Sequence, residues 1–155
     1  MKGKDKKDVL QNIINGARPL FEQMDQIVFF KNTDFTYADC NNRLVEFSRL
    51  NDKKRIITKE DYDLPWAEDT EFYRKIDKSI LDGDTKKIAM EVRVASGEKI
   101  TAIQTKKAIK DTDSGQIVGI LVTMTEPRNA GLQEFLIKVR RQDEIVYLPA
   151  LQKTM

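Results

Sequence analysis

Apolar residues recur along this chain with the periods of helices in some stretches and of strands in others. Val9, Leu10, Ile13, Ile14 and Ala17 share one helical face. Gly16 and Pro19 punctuate that segment, and Leu20, Phe21 and Met24 predict a short second helix. Ile27-Val28-Phe29-Phe30 is a compact run of strand formers. Asn32-Thr33-Asp34 has turn chemistry, and Phe35-Thr36-Tyr37 alternates as a second strand, so a β-hairpin is expected. Between Asp39 and Leu50 the pattern predicts a short helix with Leu44, Val45 and Phe47 inward. Asn51 to Pro65 is polar and irregular, with a helical turn expected near Lys59-Glu60-Asp61.

Asp69 and Thr70 are suitable caps for a helix reaching Leu81, whose stripe is Phe72, Tyr73, Ile76 and Ile80. Gly83 stops it. Ile88, Met90, Val92 and Val94 then alternate with polar or small residues, the clearest strand signal in the chain. After the turn Ser96-Gly97-Glu98, a long strand runs from Lys99 to about Lys110, with Ile103 and Ile109 on one face and Ala102 and Ala108 on the other. Asp111 to Gly115 is a second turn. Ile117 to Met124 is apolar on both faces, as in a central strand, and Pro127 ends it. Leu132, Phe135, Leu136 and Val139 predict a last amphipathic helix. The order implies an α+β fold: a five-stranded antiparallel sheet with helices on one face. Residues 1–18 and 128–155 read as flanking helical segments around a domain at 19–127.

Composition narrows the function. The 155 residues are 40% hydrophobic and 34% charged, enough for one core and a well-solvated surface. Lys and Arg total 27 against 25 Asp and Glu, net +2, so charge alone argues against a nucleic-acid surface. Lys138, Arg140 and Arg141 are too small a footprint to change that. No apolar run reaches the roughly 18–20 residues of a membrane helix, and the charged start lacks the apolar core of a signal peptide. A cytoplasmic location is the default expectation. The single Cys40 has no internal partner, which suits a reducing compartment. There is no histidine, so the commonest general base, metal ligand and haem ligand are absent.

Taken in order, several segments resemble the PAS domain family, from about Leu20 to Glu126. Ile27-Val28-Phe29-Phe30-Lys31 followed by Phe35 to Asn41 resembles the opening hairpin and its exit into a short helix. Asp61-Tyr62-Asp63-Leu64-Pro65-Trp66 is similar to the segment before the main helix in bacterial PAS sensors. Tyr73-Arg74-Lys75-Ile76-Asp77 and Ile80-Leu81-Asp82-Gly83 resemble that helix and its stop. Thr105 to Asp111 and Gly115 to Ile120 resemble the last hairpin. The resemblance implies a sensory or regulatory module that binds small molecules between the main helix and the inner face of the sheet.

Candidate site residues follow from that placement. Tyr37, Tyr62, Trp66, Phe72, Tyr73, Ile76, Ile103, Thr105, Lys107 and Ile120 are the expected ligand-facing set. Lys107 stands out because a lysine on a core-facing strand must reach solvent or pair with an anion. Asp61 and Asp63 resemble a carboxylate pair for acid–base work, but no histidine, lysine nucleophile motif or glycine-rich loop accompanies them, so no catalytic residue is assigned. An isomerase-like enzyme would need a deep pocket holding a carboxylate, and the aspartates read as lying in polar loops. Asp111 to Gly115 starts like a calcium loop but has its glycine fifth rather than sixth, so no metal site is expected. Cys40 lacks the motif that surrounds a flavin-bonding cysteine and reads as a buried thiol. No cofactor is expected, neither haem nor flavin.

Three classes of function therefore compete: a ligand sensor with a closed pocket, a ligand-free dimerisation module with a filled interior, and a small α+β enzyme. The expected partners are a small organic ligand, a second copy of the chain, and a downstream output domain or partner protein. No direct nucleic-acid or membrane contact is expected. Val9, Leu10, Ile13 and Ile14, with Leu132, Phe135, Leu136 and Val139, are the expected homodimer seam, because neither stripe has an evident place in the central core.

Overall fold

The computed structural model describes residues 5–126 and 146–147. Its centre is a sheet of five antiparallel strands in the order β2-β1-β5-β4-β3. These are β1 (Ile27–Asn32), β2 (Tyr37–Cys40), β3 (Lys86–Arg93), β4 (Lys99–Lys110) and β5 (Ile117–Thr125). A two-residue strand, β6 (Val146–Tyr147), adds to the β3 edge in parallel. The three α-helices among the described residues are α1 (Lys6–Phe21), α2 (Asn42–Ser48) and α3 (Thr70–Leu81). Short 3-10 turns at Lys53–Arg55, Asp61–Asp63 and Ala67–Asp69 organise the polar loop. The expected C-terminal helix, with Leu132, Phe135, Leu136 and Val139, lies outside the described residues.

The sheet buries apolar side chains on both faces, and this decides where the helices go. On the inner face Ile27, Phe29, Ile88, Met90, Val92, Ile120, Val122 and Met124 pack with Leu44 and Phe47 of α2 and Tyr73, Ile76 and Ile80 of α3. On the outer face Val28, Phe30 and Val118 pack with Leu10, Ile14 and Phe21 of α1. Leu10 and Ile14 are therefore fully buried within their own chain, which corrects their expected place on a dimer seam. Val9 and Ile13 are half-buried at the margin of this contact.

Helix α1 is one helix, not the two that Gly16 and Pro19 suggested. Asp5 caps it by accepting from the Lys7 N–H. Pro19 removes only one donor, near the end, where burial of Phe21 holds the last turn against the sheet. Arg18 and Lys53 both pair with Asp39 and tie α1 and the polar loop to β2. The second strand also begins later than the alternation implied: Phe35 sits in the hairpin turn with a positive φ of 72°.

Gly119 on β5 lets α1 approach this closely. A Cβ there would lie 2.7 Å from Leu10 Cδ2 and 2.8 Å from the backbone oxygen of Lys31. The leucine tip can move but the neighbouring strand cannot. Gly119→Ala is expected to cost about 1–3 kcal/mol by overpacking, read as a lower urea midpoint. Wild-type stability would mean that the strands separate freely here.

Cys40 is fully buried, and burial pushes its thiol up to about 12. Native protein is expected to resist a thiol-specific reagent at pH 8, with one equivalent reacting only after unfolding.

Candidate functional site

The inner face of the sheet and α3 enclose a cavity with charged walls. Strand alternation carries Lys31 inward after Ile27 and Phe29. On β4 the same alternation turns Ala102, Gln104 and Lys106 inward, with Lys106 opposite Val122 of β5. Asp77 lies one helical turn beyond Tyr73 and just short of Ile80, on the buried stripe of α3. Asp61 opens the middle 3-10 turn, where the Asp63 carboxylate accepts from the Glu60 N–H and turns outward. The backbone of Tyr37 is bonded on both sides by the loop: its N–H donates to Lys59 O and its carbonyl accepts from the Thr58 N–H. An ion pair of Glu60 with Arg74 fastens the loop to α3 at 3.0 Å.

These elements bring four charges into one network. Lys31 Nζ donates to Asp61 Oδ2 at 2.7 Å and to Asp77 Oδ2 at 2.6 Å. Lys106 Nζ donates to Asp77 Oδ1 at 2.7 Å. Asp61 Oδ1 also accepts from the Tyr37 hydroxyl at 2.6 Å and from Trp66 Nε1 at 2.9 Å. None of the four charged side chains is more than 2% exposed. Two ammonium groups face two carboxylates, so the network is balanced.

The electrostatics distinguish the two lysines. Burial opposes the charge on Lys31, yet Asp77 and Asp61 outweigh it and hold its pKa above the usual lysine range. Burial also opposes the charge on Lys106, and nearby Lys31 adds to this; Asp77 offsets it only in part, so the Lys106 pKa is lowered. For Asp77 burial favours the neutral acid, but Lys106 and Lys31 keep its pKa below the ordinary aspartate value. Asp77 is thus a charge partner already committed to two cations, which is the opposite of a general base waiting for a proton.

The cavity between these groups is small. Its enclosed free volume is about 20 Å³, room for one water molecule. With every interstice out to its mouth the space is about 320 Å³. Phe29, Leu44, Phe47, Val92 and Met124 form the apolar wall, and Tyr37, Tyr73, Trp66 and Gln104 complete the lining beside the charges.

Of the expected ligand-facing residues, Tyr37, Trp66 and Tyr73 lie on this wall. Ile76 and Ile120 are buried in the adjoining core. Phe72 is only partly buried against that core. Tyr62 is 54% exposed, and its hydroxyl bonds Glu71 at the surface. Ile103, Thr105 and Lys107 belong to the other face of β4: Ile103 pairs with Ala89 and Thr105 with Thr123, both away from the cavity, and Lys107 is exposed. The inward lysine is its neighbour, Lys106. Asp61 and Asp63 do not act as a pair, since one is buried and the other exposed. Asp77, on α3, corrects the reading that the aspartates lie in polar loops; Asp61 does lie in the loop but is buried rather than solvated.

Lys31, Gln104, Lys106 and Asp77 were missed as site residues. Their signal was positional: each is a polar residue in phase with the apolar residues of its own element. Among the described residues no group of His, Cys, Asp and Glu side chains is arranged to hold a metal ion. No described helix is long and apolar enough to cross a membrane.

No protein-family model matches the chain, and no curated protein is significantly similar to it in sequence. Solved structures do resemble it. The LuxR-type receptor VqmA of Vibrio cholerae, as a dimer without its target DNA, shares 19% identity over 77% of this chain and 55% of its own, with a TM-score of 0.67. VqmA bound to DPO shares 20% identity over 81% of this chain and 60% of its own, also at 0.67. This chain thus spans little more than half of those receptors. The PAS domain of BvgS from Bordetella pertussis shares 12% identity over 84% of this chain and 98% of its own, at 0.62. Likeness at such low identity is a likeness of fold, and the fold of this chain is PAS-like.

Proposed function

We propose that this chain is a sensory or regulatory module that binds a small organic molecule in the central cavity and passes the change to its terminal segments, in signal transduction or transcription regulation. The observation that carries this reading is the buried network of Lys31, Lys106, Asp61 and Asp77 facing a cavity between α3 and the sheet. Buried ion pairs add little net stability over apolar packing of the same volume, so a filled apolar interior would serve a purely structural domain as well. A ligand that packs better with one arrangement of α3 and sheet shifts the population toward it. VqmA, of similar fold, has been seen with DPO, with DNA and as a dimer, which supports a regulatory role and a homodimer here. No catalytic step is assigned.

Native mass spectrometry of the purified protein tests the reading. The expected result is a small molecule released on unfolding and missing from Lys106→Met. A protein of bare chain mass whose stability no small-molecule collection changes would sink it. The enclosed volume of only about 20 Å³ supports the competing reading, a ligand-free dimerisation module. In that case light scattering would show a dimer with no ligand, and Ile13→Asp on the half-buried margin of α1 would weaken it.

A further inference from the structure

Gln104 and Lys106 stand two residues apart on the inward face of β4, and both line the enclosed space. Gln104 is only 5% exposed, yet its carbonyl oxygen, Oε1, has no hydrogen-bond partner among the described residues. Its amide nitrogen is turned to the sulfur of Met124 at 3.2 Å, a weak acceptor. Lys106 carries three ammonium protons. One goes to Asp77 Oδ1, and the ammonium lies 5.3 Å from the centre of the Tyr73 ring. A buried acceptor without a donor is costly, and so is a buried ammonium whose protons are incompletely bonded. Both shortfalls border the same small space.

We infer that this space is a built site for a single structural water, which donates to Gln104 Oε1 and accepts from Lys106 Nζ. Volume sets the number. A water needs about 10–15 Å³ of enclosed space. The space of about 20 Å³ therefore holds one and is too small for a pair. Charge sets the species. Lys31 and Lys106 already balance Asp61 and Asp77, so a chloride or ammonium ion would stand uncompensated in a closed, low-dielectric space. The hydrogen bonds require the same. Chloride brings no donor to Gln104 Oε1, and ammonium brings no acceptor to Lys106. Water serves both, and it serves equally if the Gln104 amide is turned over. The water joins Gln104, which reaches Met124 of β5, to the Lys106–Asp77 pair, so the charge network of α3 extends into the middle of the sheet. The inference does not rest on the cavity taking an organic molecule; such a molecule would first have to displace this water.

High-resolution crystal structures of the intact chain, grown with bromide in place of chloride, identify the occupant. The expected wild-type result is one compact density peak within about 3.2 Å of both Gln104 Oε1 and Lys106 Nζ, with no anomalous signal from bromide. In Gln104→Met, which keeps the length of the side chain but offers only a weak acceptor, the peak should be gone. In solution, oxygen-17 relaxation dispersion should count one long-lived water fewer in Gln104→Met than in wild type. An anomalous peak would make the occupant an anion and overturn the inference. So would an empty space, or a peak that touches Lys106 but not Gln104. Density longer than one water would overturn it too; if that density is an organic molecule, the sensor reading stands while this inference falls. Equal relaxation dispersion in wild type and variant would show that Gln104 holds no water. If Gln104→Met does not fold, the wild-type peak and its anomalous signal decide alone.

Discussion

Asp77→Ala is expected to destabilise the domain by about 3–5 kcal/mol, because it breaks a buried charge network by removing one partner. Lys106 then loses its carboxylate contact and Lys31 keeps only Asp61. The buried charge changes from balanced to one positive in excess. The double variant Asp77→Ala with Lys106→Met restores the balance as a Lys31–Asp61 pair, and is expected to recover at least half of the loss. This coupling, read from urea unfolding of the two single variants and the double, is the informative quantity. Additive losses would mean that Lys106 and Asp77 do not depend on each other.

The same network predicts an acid limit. The folded protein holds Asp77 ionised below the ordinary aspartate pKa of 3.8. Its contribution is therefore complete above that pH and is lost as pH falls through the lower folded value. The urea midpoint should be level from pH 7 to about 5 and drop below 3.8. Asp39, held low by Arg18 and Lys53 against its own burial, adds to this drop. The double variant should fall less steeply than wild type, because only the Asp39 share remains among these two. An equal slope in both proteins would assign the acid transition elsewhere.

Trp66→Ala is expected to cost about 3–5 kcal/mol, the range for removing a buried large aromatic, while Phe72→Ala should cost less than half as much. Trp66 is 4% exposed, lines the cavity and donates to Asp61. Phe72 is only partly buried. Trp66→Phe separates the two contributions: it keeps much of the ring volume but withdraws the N–H, leaving Asp61 with Tyr37 and Lys31. An intermediate loss of about 1–2 kcal/mol is expected. Equal losses for Trp66→Ala and Phe72→Ala would show that the loop carrying Trp66 yields on truncation.

The elements with strong periodicity could be read from the sequence: α3, β3, β4 and β5 fall where their patterns put them. Gly83 and Gly97, both at positive φ, mark the turns they were expected to mark. Cys40 is buried, as its reading as a structural thiol expected. The failures share a cause. Local pattern tells which residues share a face, but not which face is the inside. In β4 the alternative sets were Ile103, Thr105, Lys107 and Ile109 against Ala102, Gln104, Lys106 and Ala108. The larger apolar residues favoured the first set. Tertiary packing reversed this, because α1 covers the outer face and partly buries Ile109 there, while the inner face has small or polar residues beside the cavity.

The same holds for α1, whose stripe looked unpartnered until Gly119 let it settle on its own sheet. The sequence by itself determined the order of the five long strands with α2 and α3 between them, the PAS-like class and the lack of any histidine. Only the tertiary structure decided that Lys31, Asp61, Asp77 and Lys106 meet. They come from two strands, a loop and a helix, separated by 30 to 46 positions for the pairs that Lys31 makes. No local pattern encodes such a meeting. It exists because Lys31, Lys106 and Asp77 ride inward on the buried faces of their elements, the loop turns Asp61 in to meet them, and burial forces opposite charges to find one another.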